Sequence, residues 1–97
     1  NKFGSDGAIM VAVAFAESKM DCEAFGVNTN RTVDYGVLQI NSVHIKEMGL
    51  KLPDLLDCKK NVDIAYRIYE KQGLEAWSTY NSGKYLEFMY LAYKDVK

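Results

Sequence analysis

Histidine, tryptophan and proline each occur once in this chain, and cysteine only twice. The lone histidine, His44, stands three residues before Glu47. Structural metal sites usually take four ligands, so these two read as a surface pair and no metal is expected. Cys22 and Cys58 lack CxxC spacing. They permit either two buried free thiols or one disulfide closing a long loop, which would stabilise by about 3–4 kcal/mol in an oxidising compartment. With a single proline, Pro53, and scattered glycines, there is no linker, repeat or low-complexity tract. A glycine-rich phosphate loop, a GxSxG elbow and a Ser/His/Asp arrangement are missing, and no cofactor is expected. Charge is balanced as well. Twelve basic and 13 acidic residues leave a net charge of −1, which provides neither a basic field for nucleic acid nor a polybasic membrane signal. No apolar run approaches the roughly 20 residues that span a bilayer, so membrane insertion is not expected. The chain begins with Asn1 and shows no signal peptide, as expected of a processed form or a domain excised from a larger protein.

What is present suits one small globular domain over residues 1–97, with one core. Hydrophobic residues make up 48% of the chain and charged residues 26%, an ordinary soluble composition. The most informative stretch is Ala8-Ile9-Met10-Val11-Ala12-Val13-Ala14-Phe15-Ala16, followed directly by Glu17. Its apolar residues cover every helical face, so a central buried helix is expected, capped by Ser5 or Asp6 and running to about Met20. Burial and the negative end of the helix both disfavour a carboxylate. Both raise the pKa of Glu17 toward the range of a general acid.

Beyond that helix, Glu23 to Thr32 has the composition of a loop or short hairpin. Val37 to Asn41 reads as a short strand or extended segment, with Gln39 and Asn41 on one face and Leu38 and Ile40 on the other. Ser42 looks like the cap of a short helix ending before Gly49. Pro53 to Cys58 suggests a further helical turn. Asn61 is expected to cap a longer helix to Gln72, stopped by Gly73. A last helix over Lys84 to Asp95 would place Tyr85, Leu86, Met89, Tyr90 and Tyr93 along one side. Most of the seven tyrosines, those of the last helix included, are expected in the core. The sum is a mainly α (α+β) fold: a buried central helix ending at Glu17, a small β or extended element, and several surrounding helices.

Asp34 follows Glu17 by 17 residues, after a polar loop. Two carboxyls facing each other across a cleft, one in an apolar and one in a polar niche, would have separated pKa values and could divide acid and base work. A solvated Glu17 with Asp34 capping a turn is the alternative from spacing alone. Gln39, Asn41, Tyr80, Asn81 and Ser82 supply amides and a phenol of the kind that meets sugar hydroxyls and acetamido groups.

Four blocks in order carry a resemblance: Ala16-Glu17-Ser18, Asn28 to Thr32, Asp34-Tyr35-Gly36-Val37-Leu38-Gln39-Ile40-Asn41-Ser42, and Trp77-Ser78-Thr79-Tyr80-Asn81-Ser82-Gly83. Over roughly Ala8 to Tyr85 the chain resembles the SLT-type lytic transglycosylases of the lysozyme-like superfamily. The resemblance implies a lysozyme-like domain that cleaves the β-1,4 bond between N-acetylmuramic acid and N-acetylglucosamine in peptidoglycan. Glu17 matches the catalytic glutamate and Ser18 the supporting serine after it. Gly36 and Gln39 match the Gly-x-x-Gln block. Tyr80 and Asn81 match the aromatic-Asn block that helps hold glutamate and glycan. The block from Asp34 to Ser42 also resembles c-type lysozymes at their second carboxylate, although this chain lacks their disulfide pattern. A transglycosylase forming a 1,6-anhydro product, with Asp34 in a supporting role, therefore ranks first. A retaining lysozyme using Glu17 and Asp34 is the runner-up. A non-catalytic glycan-binding part of a secretion, conjugation or phage-tail machine is the third reading. The implied partner is the peptidoglycan glycan strand, in periplasm or cell wall. The domain would be exported there or carried by a larger envelope-penetrating assembly.

Overall fold

In the computed structural model, which describes residues 2–95, the apolar run forms α1, Gly7–Ser18. A 3₁₀ turn over Gly4–Asp6 leads into it. Met10, Ala12, Val13 and Ala14 are buried. Asp6 occupies the N-cap position but does not cap. Its carboxylate accepts a hydrogen bond from the Tyr69 hydroxyl at 2.6 Å instead. The helix stops two residues short of Met20. Lys19 takes a left-handed φ of 56°, and its N–H closes on the Phe15 carbonyl at 2.9 Å. That stop leaves Glu17 in the last turn.

Three short strands follow: β1 (Phe25–Val27), β2 (Val33–Tyr35) and β3 (Ile40–Asn41). They form one antiparallel sheet in the order β1-β2-β3. Gly26 pairs with Asp34, and Asp34 with Asn41. Directly paired residues point to the same side, so Asp34 and Asn41 share one face. The hairpin expected in the polar stretch is therefore present, with its turn closed by the Asn28 N–H on the Thr32 carbonyl at 2.8 Å. The expected strand over Val37 to Asn41 is corrected: only Ile40–Asn41 is extended. Val37 to Gln39 form a turn, and Gln39 takes a φ of 49°.

The remainder is helical: α2 (Val43–Met48), α3 (Leu52–Leu55), α4 (Cys58–Gln72), α5 (Ser78–Asn81) and α6 (Met89–Asp95). Further 3₁₀ turns lie over Gly73–Ala76 and Lys84–Phe88. The chain is mainly helical with a small sheet, an α+β lysozyme-like architecture. The turn over Lys84–Phe88 packs on α1, and so does α6. Cys22 and Cys58 form a disulfide, their Cα atoms 5.0 Å apart, which ties the segment after α1 to the start of α4. Lys2 and Asp63 form an ion pair that holds the N-terminal segment to α4.

Three local expectations change. Ser42 precedes α2, but its hydroxyl accepts the Val33 N–H at 3.1 Å and caps no helical amide. Asp57, not Asn61, caps α4, accepting the Lys60 N–H at 3.0 Å. Asn61 lies one turn inside α4 and is wholly buried. The last helix begins as a 3₁₀ turn, whose three-residue period rotates the apolar stripe away from the core. Leu86, Tyr90 and Tyr93 are accordingly 62%, 68% and 56% exposed, while Ala92 is buried. Tyr35, Tyr66, Tyr69, Tyr80 and Tyr85 pack against the core.

Candidate active site

The turn that interrupts the expected strand is held by side chains from four parts of the chain. Asn61 accepts the Leu38 N–H at 3.0 Å and donates its amide to the carbonyls of Tyr35 at 2.9 Å and Leu55 at 2.8 Å. Ser18 donates its hydroxyl to the Val37 carbonyl at 2.7 Å. Trp77 donates its indole N–H to the Leu38 carbonyl at 2.8 Å. Gln39 folds back on the turn and donates its amide to the carbonyls of Gly36 at 2.8 Å and Ala24 at 3.2 Å. At Gly36, φ is 82°, and a Cβ would overlap both the Asn61 amide and the Leu55 carbonyl. Only glycine fits there, for conformation and for space. Backbone groups that a buried turn would leave unpaired are thus satisfied, and the turn is fixed against the end of α1.

Next to this turn lies a cleft of about 460 Å³. Glu17, from the last turn of α1, and Asp34, from β2, both line it. The hairpin turn contributes Asn28, Thr29 and Asn30, and α2 contributes His44. Gln39, Asn41, Gln72, Trp77 and Ser78 also face it. The pKa of Glu17 is raised, chiefly because burial disfavours the charged form. Hydrogen bonding from Thr79 opposes that rise, and the negative charge of Asp34 adds to it. The Thr79 hydroxyl lies 2.9 Å from Glu17 Oε2. Asp34 is oriented by Asn41, whose amide donates to Asp34 Oδ1 at 2.9 Å and to the Thr32 hydroxyl at 3.0 Å. The Asn41 carbonyl oxygen in turn accepts the Val43 N–H at 3.0 Å.

The structure brings Glu17, Asp34, Gln39 and Asn41 together on one cleft. Ser18 and Gly36 stand behind it as parts of the turn's support. Tyr80 and Asn81 do not line it among the described residues. Tyr80 stacks on Tyr85, with ring centroids 5.1 Å apart. Asn81 donates to the Glu75 carbonyl at 2.8 Å. The contact to Glu17 from this block comes from Thr79. Residues given no part in the site by their sequence now belong to it: Thr79 through that hydrogen bond, and His44 and Gln72, which line the cleft. Asn61 joins them, acting on the turn. Its signal is an amide placed one turn inside an amphipathic helix, at a position that turns out to be core.

A half-buried carboxyl with a raised pKa, on a polar cleft shared with a second carboxyl, is an arrangement capable of acid catalysis on a polar ligand. Residues 2–79 match the model of the family described as the lysozyme-like domain, and the chain belongs to that family. Membership supports a glycosidase-type enzyme in general. No curated protein matches the chain.

Proposed function

We propose that the domain is a peptidoglycan lytic transglycosylase, cleaving the β-1,4 bond between N-acetylmuramic acid and N-acetylglucosamine. The observation that supports it best is Glu17, a carboxyl on the lining of a polar cleft whose pKa burial raises above its ordinary value. Protonated Glu17 gives its proton to the glycosidic oxygen, and the leaving sugar departs as an alcohol. The anomeric carbon develops oxocarbenium character and is met by the substrate's own N-acetyl oxygen. Glu17, now ionised, takes the proton of the muramic C6 hydroxyl. That oxygen attacks the anomeric carbon and releases the acetamido oxygen. The product is a 1,6-anhydro end, Glu17 is protonated again, and no water is consumed. The nucleophile is already attached to the substrate, so its effective concentration is high. Asp34 keeps the cleft electronegative and favours the protonated form of Glu17.

One observation favours the runner-up, a retaining hydrolase: Asp34 lines the same cleft as Glu17. Mass spectrometry of digested glycan separates the two. Ends lighter by one water than reducing ends support transglycosylation; reducing ends throughout support hydrolysis. Glu17→Gln should abolish clearing of peptidoglycan with the fold intact, and clearing near the wild-type rate would sink the enzyme reading. Asp34→Asn should keep much of the activity of a transglycosylase. A substrate in the cell envelope places the work in periplasm or wall, where the Cys22–Cys58 disulfide persists. A net charge of −1 gives little attraction to an anionic wall. Delivery by export or within a larger assembly supplies the targeting.

A further inference from the structure

The hydroxyl of Thr79, a residue that does not itself line the cleft, lies 2.9 Å from Oε2 of Glu17. We propose that Thr79 is the positioning residue of the general acid, its hydroxyl fixing Oε2 of Glu17 so that the exchanged proton sits on Oε1 and meets the glycan. The proposal rests on Glu17 being the acid of the reaction above.

The geometry suits that task. A glutamate in the last turn of a helix has three side-chain torsions and needs an external partner to hold one orientation. Thr79 is well placed to be that partner. It lies in α5, which packs against α1. Two residues before it, buried Trp77 is anchored to the Leu38 carbonyl. Four residues after it, Gly83 takes a φ of 80° and closes on the Tyr80 carbonyl. The threonine is thus held on both sides, and its hydroxyl oxygen lies 2.9 Å from Oε2. The carbonyl oxygen of a neutral carboxyl is the better acceptor, so a hydroxyl donating to Oε2 favours the proton on Oε1.

A second consequence follows from charge. A hydrogen bond donated to a carboxyl favours its ionised form, whereas burial and Asp34 favour the neutral one. Thr79 therefore limits how far the Glu17 pKa rises, which an acid that must next act as a base requires. Among the described residues, Lys19 follows Glu17 by two positions at the end of α1. His44 lines the cleft. Lys84 and Glu87, on the turn packed against α1, pair with each other at 3.2 Å. Asp6 stands at the opposite end of the helix, where Tyr69 engages it.

The test is the pH dependence of glycan cleavage on a defined muroglycan oligomer, for wild type, Thr79→Val, Thr79→Ser and Glu17→Gln. Valine removes the hydroxyl at nearly constant volume. Thr79→Val should lose about tenfold in kcat, the size expected for one weakened catalytic contact, with little change in KM. The limb of the profile that reports loss of the Glu17 proton should move to higher pH. Thr79→Ser should restore both. Should the valine variant melt below assay temperature, Thr79→Ala carries the same expectations. A Thr79→Val enzyme with wild-type kcat and pH profile overturns the proposal, and so does a lower kcat with an unmoved limb. These results are compared with an inactive Glu17→Gln; an active one overturns the enzyme reading instead.

Discussion

Asn61→Ala should destabilise the domain by about 4 kcal/mol. The Asn61 side chain is fully buried and joins three chain segments. Truncation orphans the Leu38 N–H and the Leu55 carbonyl, whose bonds are buried, and the Tyr35 carbonyl, whose bond is only partly so. A buried orphan costs about 1–3 kcal/mol, so the first two together cost about 2–6 kcal/mol, while the third can turn to water. The amide's absence leaves room for about one water molecule, which would bridge the orphans and soften the loss. Asn61→Leu removes that relief. It nearly keeps the volume, offers no donor or acceptor, and leaves no space for water. Leucine should therefore be worse than alanine, the reverse of the order in an apolar core. Urea unfolding followed by far-ultraviolet circular dichroism measures both, compared at equal slope. A loss of about 4 kcal/mol corresponds to a Tm lower by roughly 20 °C in a domain of this size. A leucine variant as stable as the alanine one, or more so, would refute the reasoning. Packing, and not hydrogen bonding, would then hold the turn.

Replacing Cys22 and Cys58 together by alanine releases a loop with a sequence separation of 36. It should cost about 4 kcal/mol, with a Tm drop of roughly 20 °C read by calorimetry. Glu17→Gln should raise stability at neutral pH. The folded pKa of Glu17 lies above its ordinary value, so its contribution is fully present below that value and is lost as pH rises through the folded pKa. Glutamine suffers no such loss. The variant should melt above wild type at pH 7, and the gap should close as the solution is acidified below the ordinary glutamate range. A gap independent of pH would mean that burial of the charge is not its cause.

The elements that repeat at a clear period were legible in the sequence. The apolar run before Glu17 has one stable fate, a central helix, and Ile64, Ala65 and Ile68 mark the buried face of α4. What escaped depends on contacts between distant residues. Val37 to Asn41 has the composition of a strand, yet Asn61, Trp77 and Ser18 each draw a backbone group of that stretch out of the ladder. Local propensity cannot express bonds spanning 19 to 39 residues. Asn61 itself looks like a cap because amides usually are caps; its three partners exist only once α4 has docked. The stripe on the last helix misled because a 3₁₀ start changes the period. Within the candidate site, Glu17 announced itself by its apolar setting, whereas Thr79 stands in a polar block where nothing distinguishes it from Ser78.

Shorter-range bonds in the cleft wall also set its amides apart from its carboxyls. Both amide hydrogens of Asn41 are donated, to Asp34 and Thr32, and its carbonyl oxygen is engaged by Val43. Gln39 likewise spends its amide on the carbonyls of Gly36 and Ala24. Amides held by such bonds present fixed dipoles to the cleft, and preorganised dipoles are what a charge developing on bond cleavage needs. Glu17 differs from them in kind. Burial pushes it toward the proton while the Thr79 hydrogen bond opposes that rise. An acid that must become a base within one turnover needs that balance, and a fully buried or fully solvated glutamate would lack it.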